Sequence, residues 1–237
     1  MNPKVSVIST YKNAGVFIDN FLLDIQRQTV FSECEFLFID DSSQDGESEK
    51  IKALSKKFPE NIKLIFNEGN LGGLYRGWNI GIRESKAKYI TNWNLDDRRT
   101  KDSIEKQLNC IEDGYDVVYG KTLITLKKNE FPEDCKSTAI FPCGQVSSLS
   151  DLLANNSPHC LPMWRKSIHE KIGYFDVEYS VCADYEMWLR AITNGFSFKM
   201  IDSVIGSYYR NPNGLSSGRD GYKKGLEEIS RIKEKYA

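Results

Sequence analysis

The sequence predicts an α/β fold: a mostly parallel central sheet flanked by helices. Three observations predict it. Short β-branched or aromatic runs alternate with helical patterns through the first 120 residues, as in successive βαβ units. One run, Glu35-Phe36-Leu37-Phe38-Ile39, is nearly all apolar, as a strand covered on both faces must be. Polar or glycine-rich loops at 40–46, 67–73 and 94–99 each follow a strand, which in a parallel sheet puts all three on one edge.

The elements follow in order. Val5-Ser6-Val7-Ile8-Ser9 is a β-branched first strand, and residues 16–27 are helical with Phe17, Phe21 and Ile25 at four-residue spacing. After the 35–39 strand and its polar loop comes a helix with Ile51, Leu54 and Phe58 on one face. Ile62–Phe66 is a third strand, Asn67–Gly73 a glycine-rich loop, and the next helix aligns Leu74, Trp78 and Ile82. Tyr89–Trp93 is a fourth strand. Asp102-Ser103-Ile104-Glu105 has capping-box spacing and opens a helix with Ile104, Leu108 and Ile111 inward. Asp116–Gly120 is another strand. Beyond residue 121 the alternation fades, and residues 127–150, with Pro132, Pro142 and Gly144, read as loop. A clear helix runs from Asp184 to Ile192 with a buried stripe of Tyr185, Trp188, Leu189 and Ile192. Residues 211–221 read as a mobile loop, and a charged helix closes the chain. With no internal repeat and no long linker, the chain reads as a single domain, 1–237, with a first half (1–120), a second half (121–210) and a tail of loop and helix (211–237).

Composition narrows the function classes. The 237 residues, 40% hydrophobic and 12% aromatic, suffice for a sizeable core. Lys+Arg is 32 and Asp+Glu 33, a net charge of -1, so no global field favours nucleic acid or an anionic membrane. Apolar runs are too short to span a bilayer, and no signal peptide opens the chain, so the expected location is the cytoplasm, with contact at the inner membrane face as a variant. Six cysteines without CxxC spacing read as reduced thiols. With only His159 and His169 as imidazoles, any metal is expected to be held by carboxylates. The adjacent Asp96 and Asp97, after a strand, suit a hard cation shared with a phosphate, although Asp-Asp is also common in surface turns.

Five pieces together resemble the family 2 glycosyltransferases, which have the GT-A fold. They are Val5-Ser6-Val7-Ile8 ending in Thr10-Tyr11-Lys12-Asn13; Ile39-Asp40-Asp41-Ser42-Ser43-Gln44-Asp45-Gly46; Asn67-Glu68-Gly69-Asn70 leading to Asn79-Ile80-Gly81-Ile82; Asn94-Leu95-Asp96-Asp97; and Ala183-Asp184-Tyr185-Glu186-Met187-Trp188-Leu189-Arg190. The resemblance runs from Val5 to about Tyr209. It implies a nucleotide-sugar-binding first half and an acceptor-binding second half. The implied reaction inverts the anomeric carbon and moves one sugar from a UDP-sugar, with dTDP as the variant, to a hydroxyl of a carbohydrate or glycolipid, with Mn²⁺ or Mg²⁺. Surface polysaccharide or glycoconjugate synthesis is the implied setting. No Gln-x-x-Arg-Trp motif is present, which points to non-processive transfer.

The resemblance also implies roles. Thr10 and the backbone near Tyr11 and Lys12 line the nucleoside; Asp41 accepts from the base N3–H; Asp96 approaches the ribose or metal; Asp97 binds the cation at the diphosphate; Asp184 is the general base. The block 158–165 lies beside the acceptor, with His159 as a contact and Trp164 as a platform for a sugar face. Blander readings stand beside these. Asp184 also suits a helix cap, Asp40 reads as structural, and at least one of Arg98 and Arg99 reads as solvating its loop. Trp78, Trp93 and Trp188 read as core. Two rival functions are a sugar-phosphate nucleotidyltransferase, disfavoured by the glycine-free loop 9–13, and a non-catalytic carbohydrate- or nucleotide-binding module.

Overall fold

The computed structural model describes residues 2–67 and 69–236; Glu68, part of the loop expected at 67–73, lies outside them. The first half contains β1 (Val5–Tyr11), α1 (Gly15–Gln26), β2 (Cys34–Asp40), α2 (Glu47–Lys57), β3 (Ile62–Phe66), α3 (Leu74–Glu84), β4 (Tyr89–Asn92), the short β5 (Arg98–Arg99) and α4 (Ser103–Glu112). The second contains β6 (Val117–Thr125), α5 (Leu149–Ala154), β7 (Met163–Arg165), α6 (Ile168–Ile172), α7 (Ala183–Thr193), β8 (Phe198–Tyr209) and α8 (Arg219–Tyr236). All strands form one sheet in the order β3-β2-β1-β4-β7-β6-β8-β5. β3, β2, β1 and β4 pair in parallel, as do β6 and β8, while β7 and β5 run against their neighbours. The boundary expected near residue 120 falls inside β6.

Side-chain alternation explains why the central strands read as unbroken apolar runs. Phe36 and Phe38 of β2 enter one core with Val5 and Val7, while Leu37 and Ile39 enter the other with Ile8. The first core is covered by α1 and α4 through Ile18, Phe21, Ile104 and Leu108. The second is covered by α3, α7 and α8 through Trp78, Ile82, Trp188 and Ile232. Helix α3 lies unusually close to β1. A Cβ on Gly77 would collide with Thr10, and one on Gly81 would meet the Ile8 side chain, so these two glycines set the helix–strand distance.

Three expectations are corrected. Arg98 and Arg99 are 1% and 0% exposed, not solvated. Arg98 donates to the carbonyls of Leu95 and Asp97, and Arg99 donates to Ser103, Gln107 and Thr91, so the terminal nitrogens of both guanidinium groups find partners inside the protein while each Nε has none. Asp102 makes no side-chain cap on α4 and instead pairs with Lys106 at 2.8 Å. The capping box lies elsewhere, at Ser148 and Asp151, where α5 interrupts a stretch expected to be loop up to residue 150.

Candidate active site

The carboxyl ends of β1, β2, β4 and β8 open onto one cleft of about 680 Å³, a usual size for a small-molecule site. Parallel pairing makes this inevitable: each strand delivers its following loop to the same edge. Thr10, Tyr11 and Lys12 come from the end of β1, Asp41 from the end of β2, Asp96 from the turn after β4, Asp184 from the start of α7, and His159 from the loop before β7. All seven line the cleft.

On the β2 side of the cleft, Asp41 is held in place. Its Oδ1 accepts from Leu71 N–H and its Oδ2 lies 3.4 Å from Lys12 Nζ, which also reaches Asn70 at 3.2 Å. Neighbouring Asp40 turns away to bond Ser43 N–H at 2.8 Å and Ser48 Oγ at 2.6 Å, so it is structural. The Tyr11 ring is core: it packs on Phe38 and its hydroxyl lies 2.9 Å from Ser48.

In the acidic turn the two carboxylates separate. Asp96 stands on the cleft wall, whereas Asp97 is 1% exposed and faces inward, its oxygens near Tyr209 N–H at 3.3 Å and Asn94 Nδ2 at 3.5 Å. The expected metal position, Asp97, therefore stands behind Asp96. Burial pushes the Asp96 carboxyl up; burial and then the Asp96 charge push Asp97 well up. Asn94 Oδ1 is buried here without a partner. Carboxylate and amide oxygens are hard donors, so Asp96 on the cleft wall, with Asn94 beside it, fits Mg²⁺ or Mn²⁺. Among the described residues no group of three or more His, Cys, Asp or Glu side chains could hold a metal by itself. Such a cation would need substrate phosphate and water to complete its shell.

Asp184 lines the same cleft from the first turn of α7. Tyr75 hydroxyl lies 2.8 Å from its Oδ1, and Asn156 Nδ2 donates to its Oδ2 at 3.0 Å. Burial raises its carboxyl above the ordinary value, and these two bonds pull the other way. Glu186, two residues on, faces away and pairs with Arg190 and Lys235, each at 2.8 Å. Tyr75 read as part of a helix and Asn156 as an unremarked loop residue; no local signal marks either as a partner of Asp184.

The acceptor expectations divide. His159 reaches the cleft with φ at 44°, its ring stacked on Phe141 and set edge-on to Tyr208. Burial pushes its imidazole down to about 3, so the ring is neutral, and its Nδ1 lacks a partner. Trp164 is corrected: it is 0% exposed in β7, near the middle of the sheet, packed on Trp188 and donating to His169 Nε2 at 2.9 Å. It cannot stack on a sugar. Trp78 and Trp188 are core as expected, as is Trp93.

The loop after β8 covers one side of the cleft with Asn211, Gly214, Leu215 and Ser216. Tyr208 hydroxyl lies 3.2 Å from Ser216 Oγ, and Asn211 bonds the Asp96 carboxylate. Five buried polar atoms without partners, on Thr10, Trp78, Asn94, Asn156 and His159, belong to residues of this one cleft. Unmet hydrogen-bonding capacity gathered in one place is what a polar ligand would fill.

Residues 6–172 match the model of glycosyl transferase family 2. The chain belongs to that family. Among relatives of this family 2 chain, a GalNAc(5)-diNAcBac-PP-undecaprenol β-1,3-glucosyltransferase of Campylobacter jejuni is 24% identical over 168 residues, covering 71% of this chain and 53% of that protein. The chain thus spans about half of that relative's length. The crystal structure of Staphylococcus aureus TarS 1–349 in complex with UDP superposes with a TM-score of 0.74 at 18% identity, covering 97% of this chain and 64% of that one. A Pyrobaculum calidifontis mannosyltransferase, PcManGT, in complex with GDP-Man and Mn²⁺ superposes with a TM-score of 0.68 at 14% identity, covering 90% and 59%. The fold of this family 2 chain is therefore the GT-A fold.

Proposed function

We propose that the protein is an inverting glycosyltransferase that moves one sugar from a UDP-sugar to an acceptor hydroxyl. One observation carries this reading: a single cleft is lined both by Asp96 and Asn94, which suit a cation, and by a half-buried, doubly hydrogen-bonded Asp184. Asp41 recognises the base, because a carboxylate accepts and cannot donate, which matches the N3–H of uracil. Asp96 and Asn94 hold Mn²⁺ or Mg²⁺, which when bound would neutralise charge on the departing diphosphate. Asp97, buried behind, accepts from Tyr209 N–H and Asn94 Nδ2 and so supports the turn that presents Asp96. Lys128 on the rim supplies a positive group to the same cleft.

Asp184 takes the acceptor hydroxyl proton as that oxygen attacks the anomeric carbon. A raised carboxyl strengthens it as a base, and the bonds from Tyr75 and Asn156 fix its direction. Attack opposite the leaving diphosphate inverts the centre. His159, neutral and with an open Nδ1, contacts the acceptor by hydrogen bond rather than by charge. The loop at 211–218 excludes water from the donor.

The UDP complex of TarS and the Mn²⁺ complex of PcManGT support the donor and cation parts of this reading. The undecaprenol-linked acceptor in the Campylobacter relative's name supports a glycolipid or polysaccharide acceptor, met at a membrane face. No helix among the described residues is long and apolar enough to cross a membrane. A panel of UDP-sugars with Mn²⁺, read by UDP release, tests the proposal. Release from at least one UDP-sugar, abolished by EDTA, is expected; release from none, alongside turnover of a sugar 1-phosphate with a nucleoside triphosphate, would replace it with nucleotidyl transfer.

A further inference from the structure

Asp184 lies in the first turn of α7, yet the N-cap residue of that helix, Cys182, makes no side-chain cap. A carboxylate from another helix ties down the chain leading into it. Glu228 of α8, 3% exposed, accepts four hydrogen bonds from the segment leading into α7. Ser180 N–H and Ser180 Oγ reach one of its oxygens at 2.8 and 3.0 Å, and Val181 N–H and Cys182 N–H reach the other, both at 2.9 Å. Three of these donors are backbone N–H groups: Cys182 is the N-cap residue of α7, and Ser180 and Val181 are the two residues leading into it, so the Glu228 carboxylate stands beside the α7 N-terminus. Helix α8 also touches this segment through Gly225, whose carbonyl lies 3.6 Å from Cys182 Sγ.

The same segment leads to the carboxylate. Tyr75 hydroxyl is 2.7 Å from Val181 O and 2.8 Å from Asp184 Oδ1. A hydroxyl has one proton, so the position of Val181 governs how Tyr75 shares it with Asp184. Glu228 fixes Val181 through its N–H; Tyr75 meets the same residue through its carbonyl. A continuous set of bonds thus runs from α8 to the base.

We propose that Glu228 is a positioning residue for Asp184: the C-terminal helix reaches across to anchor the segment leading into α7 and thereby sets the direction and proton sharing of the cleft carboxylate. This rests on Asp184 being the base. Glu228 does not itself line the cleft; it meets the cleft only through the backbone of Val181 and Cys182, so its effect reaches the reaction through that segment, α7 and Tyr75.

Glu228→Gln keeps the size but turns an NH₂ toward two N–H donors. Measured on the full chain, it should leave UDP affinity with Mn²⁺ within about twofold and the donor KM unchanged, and lower kcat about 10- to 100-fold, the scale of a small misplacement of a catalytic group. Added to Asp184→Asn, it should lower kcat little further, because the group it aims is gone. Glu35→Gln is the stability control. Glu35 is a buried carboxylate at the opposite edge of the sheet, bonded to Ser6 Oγ at 2.5 Å and Lys86 N–H at 2.6 Å. It should lower Tm without lowering kcat of the folded protein. An unchanged kcat in Glu228→Gln, fully additive losses in the double variant, or an equal kcat loss in Glu35→Gln would each overturn the positioning role. If Glu228→Gln does not fold, Glu228→Asp, which keeps the charge and shortens the reach, carries the same double-variant test. Full activity in Asp184→Asn alone would instead refute the base assignment itself.

Discussion

Replacing Asp184 by Asn separates chemistry from stability because the two effects differ in size. The side chain keeps its volume and its place in the first turn of α7. Its oxygen can still accept from one of Tyr75 and Asn156, now 2.8 and 3.0 Å away, while its NH₂ faces the other. Tyr75 can accept as well as donate, so the net loss is about one hydrogen bond, about 1 kcal/mol. For a chain of this size that lowers Tm by roughly 2–4 °C. It leaves the protein folded, since domains hold about 5–15 kcal/mol. Losing the base is larger. Proton removal by a positioned group contributes about 10²–10⁴-fold, and 10² alone is about 2.7 kcal/mol in the barrier. Transfer assayed by UDP release should therefore fall at least about 100-fold, with UDP affinity and Tm near normal. Glu186→Gln is the contrast: it faces Arg190 and the α8 residues Lys235 and Tyr236, so it should lower Tm and leave kcat of the folded protein largely intact. Full transfer in Asp184→Asn, or none in a folded Glu186→Gln, would refute the reasoning.

Three further outcomes follow from the geometry. UDP should bind better than CDP, and Asp41→Ala should narrow the gap; equal affinities in the unmutated protein would exclude Asp41 as the base reader. Trp164→Phe should lower stability by about 1–3 kcal/mol, through lost packing and the lost bond to His169, and leave acceptor KM unchanged; a raised KM at unchanged Tm would return Trp164 to the cleft. Burial holds His159 at about 3 and His169 at about 4, below the ordinary 6.5. Below pH 6.5 the unfolded chain binds protons that the native one refuses, so stability falls with pH down toward those values, by up to about 1.4 kcal/mol per unit and per histidine. An imidazole titrating near 6.5 by NMR in the native protein would contradict this.

The first half of the fold is legible in the sequence because its strands carry little but apolar residues and its helices keep a four-residue stripe. Parallel topology then brings Thr10, Asp41 and Asp96 to one edge, whereas Asp184 reaches it from the first turn of α7. What escaped depends on tertiary partners. Strand β8 mixes Lys199, Asp202 and Ser203 into its apolar run, and its pairing with β6 shifts register around Gly120 and Lys121, so no clean alternation marks it. Charge on Arg98 and Arg99 signals solvent until the carbonyls and polar side chains that receive them are seen. Trp164 neighbours an acceptor-side histidine in sequence but lies on a central strand in space. The motif assigned the cation to Asp97, and only the turn after β4 shows that Asp96 is the one facing the cleft. Glu228 read as one charge among many on a solvated helix; its four donors are more than forty residues away.

Calorimetry of UDP binding with and without Mn²⁺, in the unmutated protein and in Asp96→Asn, tests most directly whether this cleft is a cation-assisted nucleotide-sugar site. UDP affinity should rise with Mn²⁺ in the unmutated protein and lose that dependence in folded Asp96→Asn. UDP affinity that is the same with and without Mn²⁺, or a Mn²⁺ dependence that survives in Asp96→Asn, would contradict the account.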